Sequence, residues 1–113
     1  MTTITDELMM QMLTTTKTYT IVILKAGPGI NRADAKQITW EHGRRNFSLR
    51  AGKLLSIVCP VMDASDVKGI GIFDADEAAT KKIMDDDDPG VKEGVFVYET
   101  HPCRSFTGDS LPG

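Results

Sequence analysis

The chain has 113 residues, 41% hydrophobic and 26% charged, an ordinary composition for a single folded domain. Thirteen Lys+Arg against sixteen Asp+Glu leave a formal charge of −3, which argues against nucleic acid or an anionic membrane as the main partner unless a local basic patch exists. The longest apolar run, Ile21–Leu24, is far too short to span a bilayer, and Asp6 and Glu7 stand where a secretory signal would carry Lys or Arg, so a cytoplasmic location is expected.

Residues 1–16 hold Met9, Met10 and Met12 ahead of Thr14-Thr15-Thr16. They read as a loosely ordered extension, or a short helix that docks on a partner, before a single domain over 17–113. Thr18–Lys25 is rich in β-branched and aromatic residues and reads as a strand, ended by Ala26-Gly27-Pro28-Gly29. A helix is expected from about Asp34 to Ala51, with Asn31 a cap before it and Gly52 its stop. Its periodicity gives two stripes: Ala35, Ile38, His42, Arg45 and Leu49 on one face, Trp40, Gly43, Phe47 and Ala51 on the other. A helix striped on both sides is expected to pack against its own sheet and against a second element or subunit.

Lys53–Val61 is the second strand, with Pro60 at its end or on an edge because proline lacks a donor. Val67–Phe73 is the third, and Gly69 and Gly71 inside it mark a bend or a close backbone approach. A second helix is expected from Asp74, with Asp74 and Glu77 at capping-box spacing, to about Asp87 ahead of Pro89-Gly90. Glu93–Cys103 alternates as a fourth strand, and 104–113 reads as a polar tail anchored by Phe106. The order β-α-β-β-α-β defines an α+β class, a ferredoxin-like sandwich of an antiparallel sheet with helices on one face. Ile21, Ile57, Ile72 and Phe96 lie in strands apolar on both faces, so a homodimer burying sheet against sheet is expected.

No Gly-rich nucleotide loop, P-loop, HExxH or GxSxG is present, and Gly69-Ile70-Gly71 lies inside a strand, so most cofactor enzymes are set aside and no cofactor or metal is expected. His42, on the apolar stripe of the first helix, is either a satisfied core residue or a general acid or base. Arg45, on the same face, could hold an anionic substrate or form a surface ion pair. Asp85–Asp88 oppose the dipole at a helix C-terminus, and Asp85–Asp87 read as a solvated end. Asp88 differs because Pro89 fixes the following turn and aims its carboxylate. His101 reads as edge decoration, and Cys59 and Cys103, without metal or CxxC spacing, as two buried thiols.

The element order, the helix bearing His42, the segment Ala51-Gly52-Lys53-Leu54-Leu55 and above all Asp88-Pro89-x-x-x-x-Gly94-Val95 leading into the last strand resemble the YciI-like (YCII-related) family over about residues 18–106. The resemblance implies a dimeric α+β barrel, paired through its sheets, and a His–Asp dyad in a cleft between sheet and helices. By motif position the dyad falls on His42 and Asp88. Glu41 is the alternative at the first position, because the spacing from His42 to Gly52 is about a residue shorter than the family's usual pattern. Gly90 stands where the family often has an aromatic residue, which would open the pocket. One family member with an assigned reaction is a dehydrochlorinase acting on chlorinated hydroxyquinol-type rings, and muconolactone isomerases share the wider barrel superfamily. A cofactor-independent lyase, isomerase or hydrolase on a small cyclic or aromatic substrate is therefore expected. The alternatives are a homodimer that binds a small ligand without turnover and an accessory protein docking through its Met-rich extension.

Overall fold

The computed structural model describes residues 1–113. Four helices and four strands follow in the order α1 (Asp6–Leu13), β1 (Thr16–Ala26), α2 (Ala35–Ala51), β2 (Leu55–Pro60), β3 (Val67–Phe73), α3 (Glu77–Asp87), α4 (Pro89–Lys92) and β4 (Phe96–Phe106). The strands form one sheet in the order β2-β3-β1-β4 with every neighbouring pair antiparallel. The protein is thus α+β with a four-stranded antiparallel sheet, an order compatible with a ferredoxin-like fold. No helix is long and apolar enough to cross a membrane.

Period-two alternation sorts the strand residues by face. Thr20, Val22 and Leu24 of β1 are buried beneath the helices, while Ile21 and Ile23 between them are only half-buried on the opposite face. The register sets Ile21 beside Ile72 and Ile23 beside Ile70 on that uncovered face, and on the helix side it sets Val22 beside Gly71 and Leu24 beside Gly69. Both glycines thus withhold a side chain from the space under α2, which opens room there, and the β1–β3 register shifts by a bulge right beside Gly69. Around that space the core gathers Val22, Leu24, Leu55, Phe73, Met84, Val95 and Phe96. Phe96, expected from a strand apolar on both faces, points to the helix side and is 5% exposed.

Of the two readings of residues 1–16, the short helix is the one seen over residues 6–13, because Thr5 accepts a hydrogen bond from the Leu8 N–H and the hydroxyls of Thr14, Thr15 and Thr16 donate to the last carbonyls, of Gln11, Met12 and Leu13. Other expectations are corrected. The expected polar tail continues β4 to Phe106, which pairs with Thr16. β3 reaches only Thr20, so Thr16–Tyr19 and Cys103–Phe106 project as a two-stranded ribbon with α1 at its tip. That projection stretches the molecule to 56 × 29 × 23 Å and its radius of gyration to 16.3 Å. A compact chain of this length would have a radius of about 13 Å.

The caps also differ. Asp34, not Asn31, precedes α2, and α3 starts behind Asp76, whose carboxylate accepts from the Ala79 N–H, while Asp74 instead pairs with Lys17. At the end of α2 the left-handed residue is Lys53 (φ 61°) rather than Gly52 (φ −80°), with the Leu54 N–H donating back to the Leu49 carbonyl. A side chain in that region carries a steric cost that glycine avoids. Lys53→Gly is therefore expected to stabilise the fold by about 0.5–1 kcal/mol, read as a higher midpoint in urea unfolding.

Candidate active site

His42 sits in the middle of α2, facing the sheet, and is 8% exposed. Asp88 lies 46 residues later at the junction of α3 and α4 and is fully buried. The two meet: His42 Nδ1 is 2.8 Å from Asp88 Oδ1 and 3.0 Å from Oδ2. Proline makes this possible. Pro89 takes the first position of α4, where its missing N–H costs nothing, and Asp88 becomes the N-cap, its Oδ1 accepting the Gly90 N–H at 2.9 Å. The residue before a proline is held extended (Asp88 ψ 113°), which turns the carboxylate from the helix end into the protein. A carboxylate this deep needs donors for its lone pairs, and the imidazole and the Gly90 amide supply them.

The rest of the Asp88–Val95 motif has structural reasons. Gly94 adopts φ +70°, which favours glycine, and Val95 is fully buried. Gly90 is buried against the Phe96 ring, where an added Cβ would fall 2.5 Å from Cδ2. Phe96 thus fills the space that an aromatic residue at 90 would need, and Gly90 does not border the cavity. The Phe96 ring in turn packs on the His42 imidazole, centroids 5.0 Å apart and tilted by 53°.

A cavity of about 220 Å³ opens between α2 and the sheet, bordered by His42, Asn46, Thr39 and Lys68 among mostly apolar walls that include Leu24, Gly71 and Phe73. Asp88 is not on its wall; it stands behind the imidazole. Asn46, which is on the wall, holds the other ring nitrogen, with Nδ2 3.1 Å from Nε2. The imidazole therefore spans from a buried carboxylate to a ligand-sized space. Because a carboxylate only accepts, Nδ1 carries the shared hydrogen, which leaves Nε2 facing Asn46 and the cavity.

Glu41 takes no part in this arrangement. It stays at the surface and pairs with Arg44 at 3.1 Å. Arg45, expected to hold an anionic substrate or to form a surface ion pair, donates from its guanidinium to the Ile83 carbonyl of α3 at 2.6 Å and does not border the cavity. Three residues beyond His42 on a helix means a rotation of roughly 60° off its direction, enough to aim Arg45 at α3. The cation on the cavity wall is Lys68, which also donates to the Ser65 carbonyl at 2.8 Å. Asn46 was missed in the sequence although it lies one turn from His42, the spacing at which side chains on a helix meet.

The acidic run divides its tasks. Asp85 accepts from the Tyr98 hydroxyl at 2.7 Å, Asp86 pairs with Lys82 at 2.9 Å, Asp87 is exposed, and only Asp88 is buried. Burial and the Asp85 carboxylate push the Tyr98 phenol well above its ordinary range. His101 stands on the uncovered sheet face, 3.6 Å from Glu99, and Cys59 and Cys103 are free thiols on the two opposite edge strands. No protein-family model matches this chain, and no curated protein does so at a significant level.

Asp88→Ala leaves His42 Nδ1 and the Gly90 amide without their acceptor and is expected to cost about 3 kcal/mol of stability. Glu41→Ala, at the surface, is expected to stay within about 0.5 kcal/mol of the parent. Chemical denaturation of the two variants checks the contrast.

Proposed function

We propose that this protein is a cofactor-independent acid–base enzyme, a lyase, isomerase or hydrolase, acting on a small cyclic or aromatic substrate. The reading rests on one observation: an imidazole is anchored through Nδ1 to a fully buried carboxylate while its Nε2 end borders a mostly apolar cavity. In this reading Nε2 of His42 takes a proton from the substrate and returns it to another position or to a leaving group. Asp88 holds the ring in the productive tautomer and stabilises the imidazolium formed between the two steps. A space of about 220 Å³ suits a single ring, since a cavity of roughly 150 Å³ already accepts benzene. Asn46 occupies Nε2 in the free protein, so a polar group of the substrate would take its place there, and Lys68 would attract an anionic substituent.

The reading includes a homodimer joined through the uncovered sheet face, as in the dimeric α+β barrel of the YciI-like family. Supporting it, Ile21, Ile23, Ile70 and Ile72 lie side by side there, edged by the Lys25–Glu99 ion pair. Only 15 of 113 residues are buried within one chain, which leaves much apolar surface to cover. The mostly apolar cavity also favours a second reading, a dimer that binds a ring-shaped ligand without turnover.

Ring lactones and halogenated phenols are the compounds to screen. With a substrate in hand, His42→Ala and Asp88→Asn are each expected to lower kcat by about 10²- to 10⁴-fold with the circular dichroism unchanged. Parent-like turnover in both variants would sink the proposal. Ligand-dependent thermal stabilisation without turnover, retained in His42→Gln, would establish the second reading instead.

A further inference from the structure

We propose that Asn46 binds the carbonyl oxygen of the substrate and holds the negative charge that this oxygen gains when His42 removes a neighbouring proton. The substrate is then a ring ketone or ring lactone with an acidic C–H beside its carbonyl. The proposal rests on the acid–base reading of His42 and deepens it by naming the group that the site recognises.

A carbon beside a carbonyl gives up its proton readily only where a donor meets the charge that moves to the oxygen. The base and that donor must therefore sit side by side. Of Thr39, Asn46 and Lys68, the polar side chains that share the cavity wall with His42, Asn46 is the one in contact with the base: its Nδ2 lies 3.1 Å from Nε2. The Asn46 side chain makes no other hydrogen bond in the protein, and its carbonyl oxygen has no partner. An amide with a purely architectural task is tied at both ends. This one is held by the ring alone and is free to swing.

The spacing fits a carbonyl compound. Side chains four residues apart on a helix have Cβ atoms about 5–6 Å apart, so His42 and Asn46 lean together in the free protein and stand about that far apart when parallel. In the substrate, the acidic carbon lies about 2.4 Å from the oxygen. A base approaches that carbon from above the carbonyl plane, at about 3–3.5 Å, while a donor meets the oxygen within the plane, at about 2.9 Å. Base and donor then end about 5 Å apart, the span that the two side chains supply once they part. A ring can enter beside Gly43, which borders the cavity and has nothing from the rest of the fold within 4 Å of where a Cβ would stand. The step needs no further reactant. The C–H bond breaks and its proton goes to Nε2. Its electron pair forms the C=C bond of the enolate, and the former C=O π pair moves onto the oxygen that faces Asn46. Return of the proton to a second carbon conjugated with the enolate completes an isomerisation.

The test compares para-nitrophenol with nitrobenzene, two rings of similar size of which only the first carries the oxygen. Bound as its anion, para-nitrophenol presents a delocalised oxyanion like that of an enolate, and its visible absorption reports the ionised form. The parent is expected to bind this anion more tightly than nitrobenzene. Asn46→Ala is expected to weaken the anion by about 10- to 100-fold, the worth of one hydrogen bond to a charged group, and to leave nitrobenzene within about twofold. Alanine is the best helix former, so circular dichroism should stay parent-like. Parallel loss of both ligands overturns the proposal, because Asn46 then serves packing. An Asn46→Ala protein that binds the anion as the parent does also overturns it; if His42→Gln loses the anion in the same assay, the acid–base reading survives. A parent with no preference for the anion overturns it too, and NMR of the His42 Nδ1 hydrogen then decides whether the acid–base reading falls with it.

Discussion

A fully buried carboxylate hydrogen-bonded to a nearly buried imidazole is the constraint around which this molecule is arranged. Stripping water from a carboxylate costs several kcal/mol unless donors replace it, so the chain must deliver two donors to one point. One comes from the middle of α2, the other from the first turn of α4. Delivery fixes the neighbouring backbone as well: Pro89 holds the extended Asp88, Gly94 turns the chain with a positive φ, and Val95 and Phe96 seal the pair from below. Conversely, losing the carboxylate would loosen the junction of α3 and α4 along with the imidazole.

The same arrangement leaves a space on the other side of the ring. Gly69 and Gly71 lie on the helix side of the sheet opposite Leu24 and Val22, where larger side chains would have filled the volume under α2. Packing that is complete around Asp88 and incomplete around Nε2 gives the imidazole one rigid end and one accessible end. Acid–base chemistry requires that asymmetry, because a proton carrier must be held firmly and still meet its substrate.

Much of this was legible in the sequence. The succession of strands and main helices along the chain followed from alternation and from glycine and proline punctuation, and β3 was delimited to the residue. His42 and Asp88 stood out because a polar residue on an apolar stripe and an acid ahead of a helix-starting proline each break a local rule. Other features lay beyond local pattern. Cap choice among Asn31, Asp34, Asp74 and Asp76 depends on where the backbone enters the helix: the Asp76 carboxylate reaches the Ala79 N–H, whereas Asp34 precedes α2 without a side-chain cap bond and pairs with Arg32 instead. Arg45 shares a stripe with His42 on a coarse wheel, and only the position of α3 shows that its guanidinium belongs to the Ile83 carbonyl. Helix α1 owes its ends to threonine hydroxyls bonding to neighbouring backbone, which a composition-based reading treats as loop signals. The two-sided stripe on α2 was visible at once, although its outer half is left open within a single chain.

The proposed chemistry turns on the state of one imidazole. Nitrogen-15 NMR of the side chain of His42 at neutral pH tests it most directly, because protonated and unprotonated ring nitrogens resonate far apart. Anchoring to Asp88 predicts a slow-exchanging hydrogen on Nδ1, an Nε2 signal that shifts when a ring-shaped ligand is added, and loss of the Nδ1 preference in Asp88→Asn. An Nδ1 without a hydrogen in the free protein, or a ring averaging between tautomers like an exposed histidine, would contradict it.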